Sequence, residues 1–157
     1  MNAAHLHLMV NHFPIILPIV GIIVMLIGLL FKSEAVKRTA YFIFIVTAIG
    51  AFFVMSTGEG AEEMVKVSKE FSEKFIHEHE EIAEVFVIWT YVLAIISAIG
   101  FILSLKLSKF SDAFTMLTLL VAISTLYFAR RTATTGGEIR HLEIRSNTTA
   151  LTRQDTD

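Results

Sequence analysis

Histidine is the residue whose type and placement suggest chemistry in this chain. The six histidines, His5, His7, His12, His77, His79 and His141, lie in three segments together with most of the carboxylates. Imidazole is the commonest metal ligand and a frequent axial ligand of haem. Mixed imidazole and carboxylate shells suit Zn, Fe, Mn or Cu. There is no cysteine, which excludes disulfides, thiolate metal sites and Cys-ligated iron–sulfur clusters. A formal charge of −2 gives no reason to expect nucleic acid as a partner.

The elements that must position these residues are apolar. Of 157 residues 54% are hydrophobic and only 18% charged. Phe13 to Phe31, Tyr41 to Thr57, Val85 to Leu105 and Ala113 to Ala129 contain no Asp, Glu, Lys or Arg. A membrane helix needs about 20 apolar residues, with a range of roughly 17–25. Four spans follow, with a buried soluble helical core as the rival. The fold expected is all-α, an integral membrane four-helix up-and-down bundle. It forms one domain over residues 1–145, followed by a polar, flexible tail at 146–157 in which Asn147 opens a weak glycosylation sequon. The first twelve residues carry no Lys or Arg, so a signal-peptide start is not expected and the first apolar run is expected to be retained.

Four spans put residues 1–12, 58–84 and 130–157 on one face, and with them every histidine. Lys32, Lys37 and Arg38 fall in one short loop, and Lys106 and Lys109 in the other. The long connection has nine carboxylates against Lys66, Lys69 and Lys74. Cytoplasmic loops are enriched in Lys and Arg, so both short loops read as cytoplasmic and both termini as extracytoplasmic. Arg130, Arg131, Arg140 and Arg145 run against that orientation. Small residues recur at helical spacing on every span, from Pro14, Pro18, Gly21 and Gly28 on the first to Thr118, Ala122, Thr125 and Ala129 on the fourth. Such faces admit close helix approach, and the sharper alternative is that they leave room for a flat cofactor.

Local pattern then sorts the candidates. Asn11 before His12, Phe13 and Pro14 reads as a helix start, with Asn as N-cap and Pro in the first turn. His5 and His7 lie upstream on an extended or loosely wound segment. Residues two apart on a helix differ by about 200°, so His77 and His79 cannot both face inward. His79 continues the stripe of Ala83, Thr90 and Ser97, whereas His77 aligns with Glu81 and Glu84 on the outer side. The helix holding the third span is expected to begin near Ser72. Extending the second span past Gly58 aims Glu62 at the bundle, and Glu63 less directly; the glycines at 58 and 60 are expected to interrupt that helix. Gly136-Gly137 is expected to break the last helix and bring His141 back over the bundle. His12, Glu62, His79 and His141, with His5, His7 and Glu63 in support, form the expected metal site. For haem, the alternative, His12 and His79 would be the ligands, with Arg130, Arg131 or Arg140 near the propionates.

HLHLMVNHFPI, STGEGAEE, HEHEEIAE and TTGGEIRH, in that order, resemble a widespread bacterial family of four-helix membrane proteins without a settled activity. The resemblance covers the chain through His141. It implies the four-span fold and marks His12, His79 and His141, with His5, His7, Glu62 and Glu63 typical of a subgroup. Relatives fused to Rieske-type modules imply a redox or haem-linked setting. The expected function is therefore a multi-pass protein of the bacterial inner (cytoplasmic) membrane. It would bind a transition metal, or alternatively haem b, and serve electron transfer or redox support. The rival is a non-catalytic accessory or assembly subunit of a larger membrane or respiratory complex. A transporter is disfavoured because the four spans lack ionisable groups. No nucleophile or substrate pocket is identifiable, so enzymatic activity is left open.

Overall fold

The computed structural model describes residues 2–68, 72–106 and 110–145. Lys69, Lys109 and the tail from residue 146, with its sequon at Asn147, lie outside the described residues. The chain is all-helical, with no strand among the described residues. The helices are α1 (Ala3–Val10), α2 (Phe13–Leu30), α3 (Glu34–Ser68), α4 (Glu73–Leu105) and α5 (Ser111–Arg140), followed by a 3₁₀ turn at Leu142–Ile144. Four stretches are long and apolar enough to cross a membrane: Ala3–Leu30, Glu34–Met64, Glu73–Leu105 and Ser111–Arg140.

The helices form a closed ring. α2 packs on α3, α3 on α4, α4 on α5, and α5 returns to α2, while α1 lies against α3. Polarity is distributed opposite to that of a water-soluble domain. Thr47, Thr90, Ser97, Thr115, Thr118 and Thr125 are completely buried, whereas Leu30, Phe31, Phe42, Ile95 and Leu120 are exposed. A water-soluble surface does not carry so continuous an apolar coat. The interior threonines remove their own desolvation cost. Thr47, Thr90, Thr118 and Thr125 donate to the carbonyls of Ile43, Phe86, Phe114 and Val121 at 2.7–2.9 Å. Thr115 donates to Ser111 O at 3.0 Å, so Tyr41 OH, 2.9 Å away, donates to Thr115. The small residues set the helix spacing. A Cβ on Gly100 would stand 2.6 Å from the Tyr41 ring, and one on Gly28 2.9 Å from the Lys37 backbone nitrogen.

Several local expectations are corrected. His5 and His7 lie on a regular helix, α1, whose N-cap Asn2 accepts the His5 N–H through Oδ1 at 2.9 Å. Asn11 ends that helix, and His12 is the N-cap of α2. Both keep right-handed helical backbone angles, so the junction is a slight break and α1 continues the direction of α2. α3 does not stop at Gly58 or Gly60. A helical glycine costs only about 1 kcal/mol, and here each glycine receives α1. A Cβ on Gly60 would stand 2.8 Å from Ala3 Cβ. α5 likewise runs through Gly136-Gly137 and ends only at His141, whose backbone turns extended. Arg145 closes that end by donating to Glu138 O at 2.7 Å and Ile139 O at 3.0 Å, with its guanidinium 3.9 Å from the Phe75 ring centroid. Such capping of the last carbonyls is what a helix C-terminus needs.

Lys37 and Arg38 belong to the start of α3 and not to the short loop. The Lys37 ammonium is buried against Glu34 and lies 3.2 Å from Asp112. Arg38 donates to Ser104 Oγ at 3.1 Å and to Ser104 O at 2.8 Å, capping the end of α4. The helix of the third span starts where expected: Ser72 is the N-cap of α4, which begins at Glu73.

Candidate functional site

α1 and the beginning of α4 reach the same end of the bundle as the end of α3 and the end of α5, because successive long helices run antiparallel. α4 has 33 residues and is about 50 Å long at about 1.5 Å per residue, against a hydrocarbon thickness of about 30 Å. His77 and His79, in its first two turns, therefore lie at or beyond the edge of an apolar layer of that thickness.

The helical phase of the HEHEE segment separates its two histidines. The His77 side chain is 72% exposed, with Nε2 3.3 Å from Glu81 and Nδ1 3.8 Å from Glu80. His79 is half-buried and turns onto α5, where its Nδ1 lies 3.1 Å from Thr135 Oγ1. Thr135 Oγ1 also reaches the carbonyls of Arg131 and Thr132, both at 3.2 Å. Whichever of the two atoms carries the bridging proton, the contact holds the His79 ring against α5.

His7 repeats this arrangement on α3. Its Nδ1 lies 3.2 Å from Val54 O and 3.2 Å from Thr57 Oγ1. A carbonyl oxygen only accepts, so Nδ1 carries the proton. Thr57 donates to Phe53 O at 2.9 Å and Val54 O at 3.0 Å, and accepts from the ring. In His7 the proton therefore sits on Nδ1, so its Nε2 keeps its lone pair. Among the described residues neither Nε2 has a hydrogen-bond partner. Both rings lie at the same end of the bundle, His7 against α3 and His79 against α5. Metal-bound histidine almost always donates its other ring N–H to a carbonyl, carboxylate or water, and this fixes tautomer and orientation. His7 already has that outer support.

The other sequence candidates stand apart from this pair. His5 and His12 are exposed on α1 and at the α1–α2 junction. Glu62 is held by Lys66 one turn on, and faces an open cleft with Glu73, Lys74, His77 and Glu80. Glu63 is exposed beside Met64 and Val67. His141 is exposed and bonds Glu143 Oε1 through Nδ1 at 2.9 Å. The Glu143 backbone N–H, and then His141, hold that carboxyl below its ordinary range. The expected grouping of His12, Glu62, His79 and His141 does not assemble: among the described residues no three His, Asp or Glu side chains are placed to hold one ion. Because α5 continues through Gly136-Gly137, His141 is carried past the bundle end instead of back over it.

Sequence reasoning missed Thr57 and Thr135, which orient the two rings. Each is followed by a glycine, and the two Thr-Gly pairs in STGEG and TTGGE were the available clue. A Cβ on Gly58 would stand 3.7 Å from His7 Cε1, and one on Gly136 3.0 Å from His79 Cε1. No family model, curated protein or solved structure matches this chain.

Proposed function

We propose that this chain is a multi-pass protein of the bacterial cytoplasmic membrane, with both termini outside. It holds a transition-metal centre, as an ion or as haem iron, at the histidine end and serves electron transfer or redox support. Insertion is supported by four apolar helices with a lipid-like outer surface and a hydroxyl-lined interior. The orientation is supported by Lys32, Lys37, Arg38 and Lys106 at the opposite end.

One observation carries the metal reading. Two histidines from different helices arrive at one end of the bundle, each with its Nδ1 held by a threonine hydroxyl and its Nε2 without a hydrogen-bond partner among the described residues. Zn, Fe, Mn and Cu all accept imidazole, and haem iron accepts it axially. Any partner is then another membrane or respiratory component that exchanges electrons with the centre.

The test is a visible absorption spectrum together with metal analysis of protein purified from its native membrane, since overexpression can load the wrong metal. A Soret band, or a stoichiometric transition metal without one, is expected. Protein that is folded and carries neither would leave the chain as a structural or assembly subunit.

A further inference from the structure

The chain repeats itself, residue by residue, from one end of the bundle to the other. His5 and His7 recur 72 positions on as His77 and His79, and Thr57-Gly58 recurs 78 positions on as Thr135-Gly136. Their contacts recur with them. His7 Nδ1 lies 3.2 Å from Thr57 Oγ1, and His79 Nδ1 lies 3.1 Å from Thr135 Oγ1. Each threonine hydroxyl also meets the carbonyl three residues before it, Val54 O at 3.0 Å and Thr132 O at 3.2 Å. The first offset pairs the buried positions of α2 and α4: Pro18 with Thr90, Met25 with Ser97, Gly28 with Gly100. The second pairs those of α3 and α5: Phe44 with Ala122, Thr47 with Thr125, Ala51 with Ala129. A 3.6-residue face by itself would align buried positions at many offsets. The histidines, the Thr-Gly pairs and the matched glycines fix one offset for each helix.

The opposite end of the bundle brings matched positions together in space. Ser33-Glu34, where α3 begins, matches Ser111-Asp112, where α5 begins. Both acids meet one ammonium: Lys37 pairs with Glu34 and lies 3.2 Å from Asp112. The residue matching Lys37 is Thr115, so a single cation serves two matched acids. The ring of helices, α2 on α3, α3 on α4, α4 on α5 and α5 on α2, is unchanged when every helix moves two places. We infer that the chain is one two-helix membrane hairpin present twice, α1–α2–α3 and α4–α5, related by half a turn about the bundle axis, and that the seam between the copies is a self-complementary interface: the partner each hairpin recognises is the other copy, through side chains and not through the segment that joins them.

Both hairpins begin at the same end, as in membrane repeats related by an axis along the membrane normal. Where matched side chains differ, the differences compensate. Gly21 of α2 packs under the ring of Phe44, and the matching residues are Leu93 and Ala122, both in the core. The bulk sits on α3 in one copy and on α4 in the other. Contacts across the seam come from side chains. Gly100 of α4 receives Tyr41 of α3, where a Cβ would stand 2.6 Å from the ring, and the Tyr41 hydroxyl reaches Thr115 Oγ1 of α5 at 2.9 Å. Arg38 of α3 donates to Ser104 of α4. The relation holds whatever the histidine end binds.

The experiment exchanges side chains between matched positions of the full-length protein and reads thermal unfolding in one detergent. Gly21→Leu with Phe44→Ala gives the first hairpin the pair that the second has at Leu93 and Ala122. Lys37→Thr with Thr115→Lys moves the ammonium from α3 to α5, where Asp112 would hold it at the spacing Glu34 now does. This second exchange is made in a Tyr41→Phe background, because Thr115 bonds the Tyr41 hydroxyl. Each single substitution is expected to lower the midpoint by roughly 5 °C or more, through a cavity, overpacking or unbalanced buried charge. Each double variant is expected to recover about half or more of the summed loss. Additive losses in either double overturn the inference. Where a single variant is too unstable to purify, the double decides: one that folds supports the repeat, and one that does not counts against it. A permuted chain of all 157 residues, with residue 157 linked to residue 1 and new ends between 68 and 72, is expected to keep the wild-type helix content. A permuted chain that does not fold would place recognition in the joining segment and overturn the interface.

Discussion

At the scale of single residues, Gly136 and Gly58 hold equivalent places but leave unequal room. A methyl group on Gly136 would meet His79 Cε1 at 3.0 Å, closer than ordinary van der Waals contact, whereas on Gly58 it would meet His7 Cε1 at 3.7 Å. His79 cannot yield freely, because its Nδ1 is held by the Thr135 hydroxyl on the same turn of α5. Gly136→Ala is therefore expected to displace the ring by a few tenths of an ångström and weaken cofactor retention severalfold. Gly58→Ala is expected to leave retention unchanged and to gain up to about 1 kcal/mol in helix propensity. Cofactor content after purification and thermal unfolding of the two variants in one detergent check this; equal losses would mean that ring position is not what the glycines protect. The inward phase of His79 was legible in the sequence, because 100° per residue separates it from His77 and the stripe of Ala83, Thr90 and Ser97 picks the inner face. The partner of His79 was not, since Thr135 lies 56 positions away on another helix.

At the scale of the element, the turn between α2 and α3 carries an identifiable strain. Lys32 has φ 49°. Ser33 N–H bonds Gly28 O at 2.9 Å and Lys32 N–H bonds Leu29 O at 3.2 Å, the pattern of a Schellman stop. Glycine usually occupies that left-handed position, which costs other residues about 1–2 kcal/mol. Lys32→Gly should be neutral to slightly stabilising, because relief of this strain is offset by roughly 0.5–1 kcal/mol of added unfolded-chain freedom. Lys32→Val, β-branched, should lose more than 1 kcal/mol. Unfolding midpoints of the two variants give the answer, and a valine variant as stable as the glycine one would refute the strain. Charge density marked this segment as a loop, yet Lys37 and Arg38 became helical because Asp112 and Ser104 on neighbouring elements receive their charges. The glycines at 58, 60, 136 and 137 misled for a related reason. Each costs little within a long helix, and the approach of α1, His79 or the segment after α5 decides whether a glycine is a break or a seat.

At the scale of the whole molecule, the two hairpins should share one orientation. Reporter fusions to chains truncated after Lys32 and after Lys106 are expected to be cytoplasmic, and a fusion after Lys74 to be external. Opposite locations for Lys32 and Lys106 would rule out four antiparallel crossings; a uniform reversal would change only the orientation. The sequence by itself determined the number of long helices, their antiparallel order and the end at which the histidines gather. Those depend on run length and on 3.6-residue periodicity, which are local properties of the chain. Only the tertiary structure decided what each histidine touches. His12 and His141, expected at the centre, stand exposed, while His7, expected in support, is anchored on α3 and His79 on α5. Hydrogen-bond partners and close approaches depend on how helices rotate against one another. Threonines and glycines set that rotation across gaps of fifty residues and more, beyond the reach of a local pattern.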